Sequence, residues 1–209
     1  MAVITISREL GSGGTDIAQR VAHELGYQLV GHELVDMIAA RLGVRPESAE
    51  QMDEKAFGWL SAVVDSLLRS MEGESLTVES YRYVAARVLR ELARQGDVVI
   101  LGRAGQTVLA KSPRSLHVHI TAPFEVRVER IAKNRELAKA EAHRLVEASD
   151  RDRRGYVQQV GGVDWSDPLL YDLVVNTNRL SIEAAADILL VAARHRGAQP
   201  VSGGETPEG

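Results

Sequence analysis

Residues 3–26 leave this chain few folding options. Val3-Ile4-Thr5-Ile6 is a β-branched run suited to a buried strand. It runs into Ser7-Arg8-Glu9-Leu10-Gly11-Ser12-Gly13-Gly14-Thr15-Asp16, a glycine-rich loop. Ile17, Ala18, Val21, Ala22 and Leu25 then recur at helical spacing, and Gly26 closes the helix at its C′ position. A strand that turns through glycines into a helix N-terminus makes a place for an anion. Backbone N–H groups unobstructed by side chains point into one concavity, and the helix dipole favours negative charge there.

The rest of the sequence repeats the alternation. Gln28-Leu29-Val30, Asp97 to Leu101, Leu116 to Thr121 and Asp172 to Thr177 read as strands. Helical patterns cover about 33–42, 47–71, 78–95, 123–159 and 181–194. Five continuous apolar strands alternating with helices predict a parallel sheet covered on both faces, a three-layer α/β/α domain. The expected organisation is one domain over residues 1–196. It carries a helical insertion at about 46–95, over the C-terminal edge of the sheet where such folds bind ligands. The Gly-, Pro-, Ser- and Glu-rich tail, 197–209, reads as disordered.

Composition narrows the chemistry. With 209 residues, 44% of them hydrophobic, the chain can bury one substantial core. The absence of cysteine excludes disulfides, thiolate metal sites and cysteine nucleophiles. A net charge of −4 argues against a protein that coats nucleic acid. No apolar run approaches the roughly 20 residues of a membrane span, and the N-terminus has no signal-peptide pattern. A cytoplasmic protein with small-molecule partners, without nucleic acid or membrane, is therefore expected. The predicted helical stretch offers a face for a homodimer.

The loop can be set against the P-loop pattern G-x-x-x-x-G-K-[ST]. Gly13 matches the second glycine and Thr15 the hydroxyl that ligates magnesium. Arg8 stands where the first glycine belongs, and Gly14 where the lysine belongs. Two readings stay open on the loop alone. One is a plain glycine turn; the other is a modified P-loop whose missing cation comes from another residue, Arg8 among them. Under the second, Gly11, Ser12, Gly13, Gly14, Thr15 and Asp16 hold ATP, and Thr15 holds Mg²⁺. Asp16 either supports the metal's water shell or stabilises the helix N-terminus.

Three later stretches resemble bacterial cytidylate kinases, in the same order. Asp97-Val98-Val99-Ile100-Leu101-Gly102-Arg103-Ala104-Gly105 is similar to their strand and Gly-Arg-Asp-x-Gly turn. The run from Thr121 through Pro123 to Arg130 resembles their arginine-bearing helix before the lid. Asp150-Arg151-Asp152-Arg153 and Tyr171 to Thr177, with Leu180-Ser181-Ile182-Glu183, resemble the lid and the closing strand and helix. The opening Ile6-Ser7-Arg8-Glu9-Leu10-Gly11-Ser12-Gly13-Gly14 and the run Gly162-Val163-Asp164-Trp165-Ser166-Asp167-Pro168 look like the cytidylate kinase-like family. That family typically lacks the loop lysine. The resemblance spans about residues 2–195 and implies a P-loop nucleoside monophosphate kinase fold, with a lid at about 135–165.

It also implies roles. Arg103 would grip the α-phosphate of the acceptor, where a guanidinium fork suits phosphate geometry. Asp150 and Arg153 match the lid's Asp-x-x-Arg pair, the aspartate for the acceptor and the arginine for phosphates. Arg8, Arg130 and Arg153 would offset the charge of the transferred group. Ala104 replaces the aspartate of the Gly-Arg-Asp turn, and Val146 replaces an upstream partner arginine. The expected activity is ATP-dependent phosphoryl transfer to a nucleoside monophosphate such as CMP or dCMP. The alternatives are a nucleotide-binding regulatory module with little turnover, or a kinase of a non-nucleotide metabolite.

Overall fold

The computed structural model describes residues 2–41 and 78–198. Its strands are β1 (Val3–Arg8), β2 (Gln28–Val30), β3 (Val98–Leu101), β4 (Ser115–Thr121) and β5 (Leu173–Asn176). They form one parallel sheet in the order β2-β3-β1-β4-β5. The helices are α1 (Gly14–Leu25), α2 (Glu33–Arg41), α3 (Val78–Gln95), α4 (Gly105–Val108), α5 (Phe124–Arg135), α6 (Lys139–Gly161) and α7 (Ile182–His195). The predicted five-stranded α/β/α sandwich is the observed one.

Burial on both faces explains why β1 is apolar at successive positions. Ile4 lies between Val99 and Leu116, and Ile6 between Leu101 and Val118. These side chains pack with Ile17, Val21 and Leu25 of α1 and Leu189 of α7. On the other face Val3, Val98 and Ile100 pack with Leu34 and Ile38 of α2 and Val88, Leu89 and Leu92 of α3. A third, smaller cluster of Val128, Ile131, Ala142 and Val146 fastens α5 to α6. Val146, the position of the missing arginine, is thus a fully buried packing residue.

Three expectations need correction. First, the helix at 78–95 reaches the sheet edge only through its N-terminal turn. Its C-terminal half covers the face of the sheet, and its N-terminal turn brings Tyr81 towards Arg103. Second, the helical run 123–159 is two helices. Glu136, with φ 54, ends α5 in the left-handed region, and Pro123 caps its start. Neither glycine nor proline marks the break. Third, β1 extends two residues further than the apolar run, making Arg8 a strand residue. The predicted helix 47–71 (with Trp59) and the tail from residue 199 lie outside the described residues. No helix among the described residues is long and apolar enough to cross a membrane.

With all strands parallel, their C-terminal ends meet at one edge. Arg8, Gly31, the turn after β3 and Thr177 all lie there. A polar site at that edge takes nothing from the core.

Candidate active site

The loop after β1 is built to hold its backbone open. Gly11 and Gly13, with φ 80 and 79, adopt the left-handed conformation, and Gly13 caps α1. A Cβ at Gly11 would sit 2.7 Å from the carbonyl oxygen of Arg127, so the loop rests directly on α5. Ser12 is fully buried and its hydroxyl donates to the Glu9 carbonyl at 2.7 Å. Its own carbonyl accepts from Thr177 Oγ1, also at 2.7 Å. The Ser12 side chain therefore shapes the loop from within. Thr15 and Asp16 are exposed in the first turn of α1 and face the cleft.

Behind the loop lies a closed polar network. Arg127 donates through Nη1 and Nη2 to the two carboxylate oxygens of Asp150 at 3.0 and 2.8 Å. Its Nε donates to the Ala122 carbonyl and lies 3.2 Å from Glu9 Oε2. The same Glu9 oxygen accepts from Thr121 Oγ1 and from the Ala122 amide. Asp150, expected to touch the acceptor, is thus engaged by Arg127 and does not line the cleft. Its partner in the expected motif, Arg153, does. Three residues apart, the two side chains are neighbours on α6, and what distinguishes them is the partner each takes, Arg127 for Asp150 and the Arg8 carbonyl for Arg153.

In front of the loop is a cleft of about 910 Å³. Arg8, Arg103, Arg130, Arg135 and Arg153 line it together with Gly13, Gly14 and Thr15. Arg130 donates to the Thr177 carbonyl at 2.7 Å, to Thr177 Oγ1 at 3.0 Å and to the Gly11 carbonyl at 3.3 Å. Arg153 donates to the Arg8 carbonyl at 2.7 Å. These acceptors are neutral, so the bonds orient the guanidinium groups without cancelling their charge. Burial pushes Arg153 down to about 10, and nearby Arg127 and Arg103 push the same way against Asp150 and Glu9. An anion in the cleft would relieve that strain.

Arg103 reaches the cleft through an unusual turn. Gly102, Arg103 and Ala104 are all left-handed, with φ 77, 59 and 53. For the two non-glycine residues this costs on the order of 1–2 kcal/mol each. Gly102 N–H donating to the Ile6 carbonyl at 2.8 Å, and Gly105 N–H to the Gly102 carbonyl, hold the turn. Arg103 is buried beside Tyr81, Tyr156 and Asp36, and desolvation lowers its pKa against their opposing influence. Burial raises the Tyr156 hydroxyl well above its usual value, keeping it a neutral hydrogen-bonding group. Ala104 is 1% exposed, and its methyl group packs in the core where the related turn carries a carboxylate.

Several cleft residues are not marked by sequence pattern. Trp165 donates its indole N–H to Ser7 Oγ at 2.7 Å, and Tyr171 donates to the Trp165 carbonyl at 2.8 Å. His119 stacks on Tyr171 and meets Trp165 edge-on. This aromatic group ties the segment after α6 to β1 and β4. By residue type Trp165 reads as simple packing, and only its place in the Gly162–Pro168 run distinguishes it. Arg135, Gln106 and Tyr156 also line the cleft. Arg135 lies within the predicted helical run, but a lone helical arginine carries no sequence signal.

Comparison with known proteins agrees with this architecture. The model of the cytidylate kinase-like family matches residues 3–179. A cytidylate kinase of Methanopyrus kandleri is 31% identical over 198 residues, covering 91% of this chain and 92% of the relative. Among solved structures, a protein of Eubacterium ventriosum superposes with a TM-score of 0.70 at 20% identity, covering 93% of this chain and 98% of its own. Shikimate kinase of Bacteroides thetaiotaomicron does so with a TM-score of 0.51 at 15% identity, covering 92% and 98%. At those identities the two structures speak for the fold alone.

Proposed function

The chain belongs to the cytidylate kinase-like family, and from that premise we propose that it transfers the terminal phosphoryl group of ATP to a nucleoside monophosphate, with CMP or dCMP as the preferred acceptor. The relatives named cytidylate kinase support a nucleotide kinase. The observation that carries the reading is the convergence of Arg8, Arg103, Arg130 and Arg153 on one cleft at the N-terminus of α1. Transferring a phosphoryl group between two polyanions needs positioning and charge neutralisation far more than acid–base groups.

The residues fit the ligands that a kinase family implies. A Cβ at Gly11 or Gly14 would strike the surrounding structure, so the cradle is open only as backbone. The Thr15 hydroxyl and Asp16 carboxylate are hard oxygen donors on the cleft wall, suited to Mg²⁺ and its waters. Magnesium and ATP, when bound, supply the phosphoryl group and part of its charge balance. The amides of Gly11 and of residues 13–15 cradle the triphosphate, Arg103 orients the acceptor phosphate, and Arg130 and Arg153 neutralise charge at the point of transfer. Asp150 acts at one remove, holding Arg127 and the loop beneath. Attack is direct and in line, with no covalent enzyme intermediate.

Gly14, where a lysine would stand, favours a second reading: a nucleotide-binding module without turnover. Coupled ADP release measured over all nucleoside monophosphates separates the two. CMP or dCMP should be fastest, and Arg103→Ala should lower kcat/KM for the acceptor about 10²–10³-fold while the protein stays folded. ATP binding without ADP release for any acceptor would establish the module instead.

A further inference from the structure

Position 14 is glycine for a reason that the backbone does not supply. Gly14 is the first residue of α1, and unlike Gly13 it is not among the residues with positive φ. A side chain there would nevertheless have no room. A Cβ built at Gly14 would overlap Arg8 Cβ, lie 2.9 Å from Arg8 Cγ and approach Ile120 Cβ to 3.3 Å. At Gly102 a Cβ would overlap Nη1 of the same arginine. The Arg8 stem therefore crosses the start of α1, and its head rests on the turn immediately before Arg103. Arg8, Gly14, Gly102 and Arg103 all line the cleft.

In G-x-x-x-x-G-K-[ST] loops, glycine stands first and lysine seventh. Here arginine stands first and glycine seventh, and the space above the seventh residue is filled by the side chain of the first. We propose that residues 8 and 14 are one coupled exchange: Arg8 is the phosphate cation of the loop, and its stem excludes any side chain at 14. This rests on the kinase reading above and goes beyond it. The cation is delivered from the end of β1, between the phosphate loop and Arg103, instead of from the first turn of α1. Its backbone is held too, since the Arg8 carbonyl accepts from Arg153 at 2.7 Å. Two combinations are sterically consistent: arginine at 8 with glycine at 14, or glycine at 8 with lysine at 14. Either single change leaves the loop with no cation or with two stems in one space.

The test uses the full chain with Arg8→Gln, Arg8→Gly, Gly14→Lys and the paired Arg8→Gly/Gly14→Lys change. Mg·ATP affinity is read by calorimetry, transfer to CMP by ADP release, and integrity by thermal melting. Arg8→Gln should weaken Mg·ATP binding about 10-fold and slow transfer roughly 10²–10³-fold with an unchanged melt. Gly14→Lys alone should lose at least as much, and the paired change should recover at least about 10-fold over either single one. Wild-type behaviour of Arg8→Gln or of Gly14→Lys, or a folded pair that does not exceed both of its singles, overturns the exchange. Should the pair fail to fold, Arg8→Lys decides: it should keep most of the affinity that Arg8→Gln loses, and equal loss in both overturns the proposal. If the wild type binds Mg·ATP but releases no ADP, the kinase reading falls and the affinity comparisons still judge the exchange. If it does not bind Mg·ATP, both fall.

Discussion

Arg127 and Arg103 are both nearly hidden from water, 4% and 8% exposed, and they use their charge in opposite ways. Arg127 is answered on every side: a bidentate Asp150, Glu9 beside Nε, and the carbonyls of Ala122 and Leu10. Arg103 sits in a left-handed turn at the cleft wall among two tyrosines and Asp36, in an environment that disfavours its charge. A guanidinium saturated by carboxylates is a structural fastener. One held at a cleft wall where burial disfavours its charge is, under the proposed function, the residue assigned to an incoming anion. A similar contrast divides the two halves of the lid's Asp-x-x-Arg pair, with Asp150 behind the loop and Arg153 in front.

The contrast can be broken most severely at Arg127. Arg127→Met leaves Asp150 and Glu9 without their buried cation, and should cost about 3–5 kcal/mol of stability. At roughly 2–4 °C per kcal/mol for a chain of this size, the melting temperature falls about 10 °C. Arg103→Ala should leave it nearly unchanged. If the two variants melt alike, the division between fastener and site is wrong.

A smaller effect comes from His119, between the two regions. Burial pushes this imidazole down to about 4, with Arg127 and Arg153 pushing the same way against Asp150, while an unfolded histidine titrates near 6.5. The native form is neutral, so the unfolded chain binds more protons between those values. Stability is therefore fully present above about pH 6.5 and is lost as pH falls towards 4, by on the order of 2–3 kcal/mol. His119→Phe keeps the ring against Tyr171 and removes that loss. Urea denaturation at pH 7 and pH 4.5 should show a smaller gap for the variant than for the wild type; an equal gap would assign the acid sensitivity elsewhere.

The smallest effect sharpens the boundary. Thr177 Oγ1 accepts from Arg130 and donates to the Ser12 carbonyl, joining the cleft to its support. Thr177→Val should cost about 1–2 kcal/mol and raise KM for ATP a few-fold with kcat little changed. A drop in kcat alone would place Thr177 in the chemistry instead.

Much of this is legible in local pattern. The strands are continuous apolar runs because both faces of the sheet are covered, and the glycines between β1 and α1 mark a tight turn into a helix N-terminus, while the loop pattern alone leaves a plain turn and a modified P-loop both open. Gly26 stops α1 in the left-handed region as its position suggests, and Ser181 caps α7 through the Ala184 amide. The break at Glu136 is invisible in the sequence, since the residue there is an ordinary helix former, yet it takes the left-handed cap with its amide and that of Leu137 donating to the Ala132 carbonyl. Equally hidden is the direction of each arginine. Residues 127 and 130 share a helical face by spacing, yet one fastens the loop from below and the other lines the cleft.

What the chain's own sequence determined is the sandwich, the loop and the supply of arginines, because hydrophobic period, glycine content and helix stops act over a few residues. What only the tertiary structure decided is which guanidinium fastens the fold and which faces the cleft, and why Gly14 carries no side chain. Those outcomes depend on where β1, the turn after β3, α5 and α6 bring distant residues together, and no local pattern encodes that meeting.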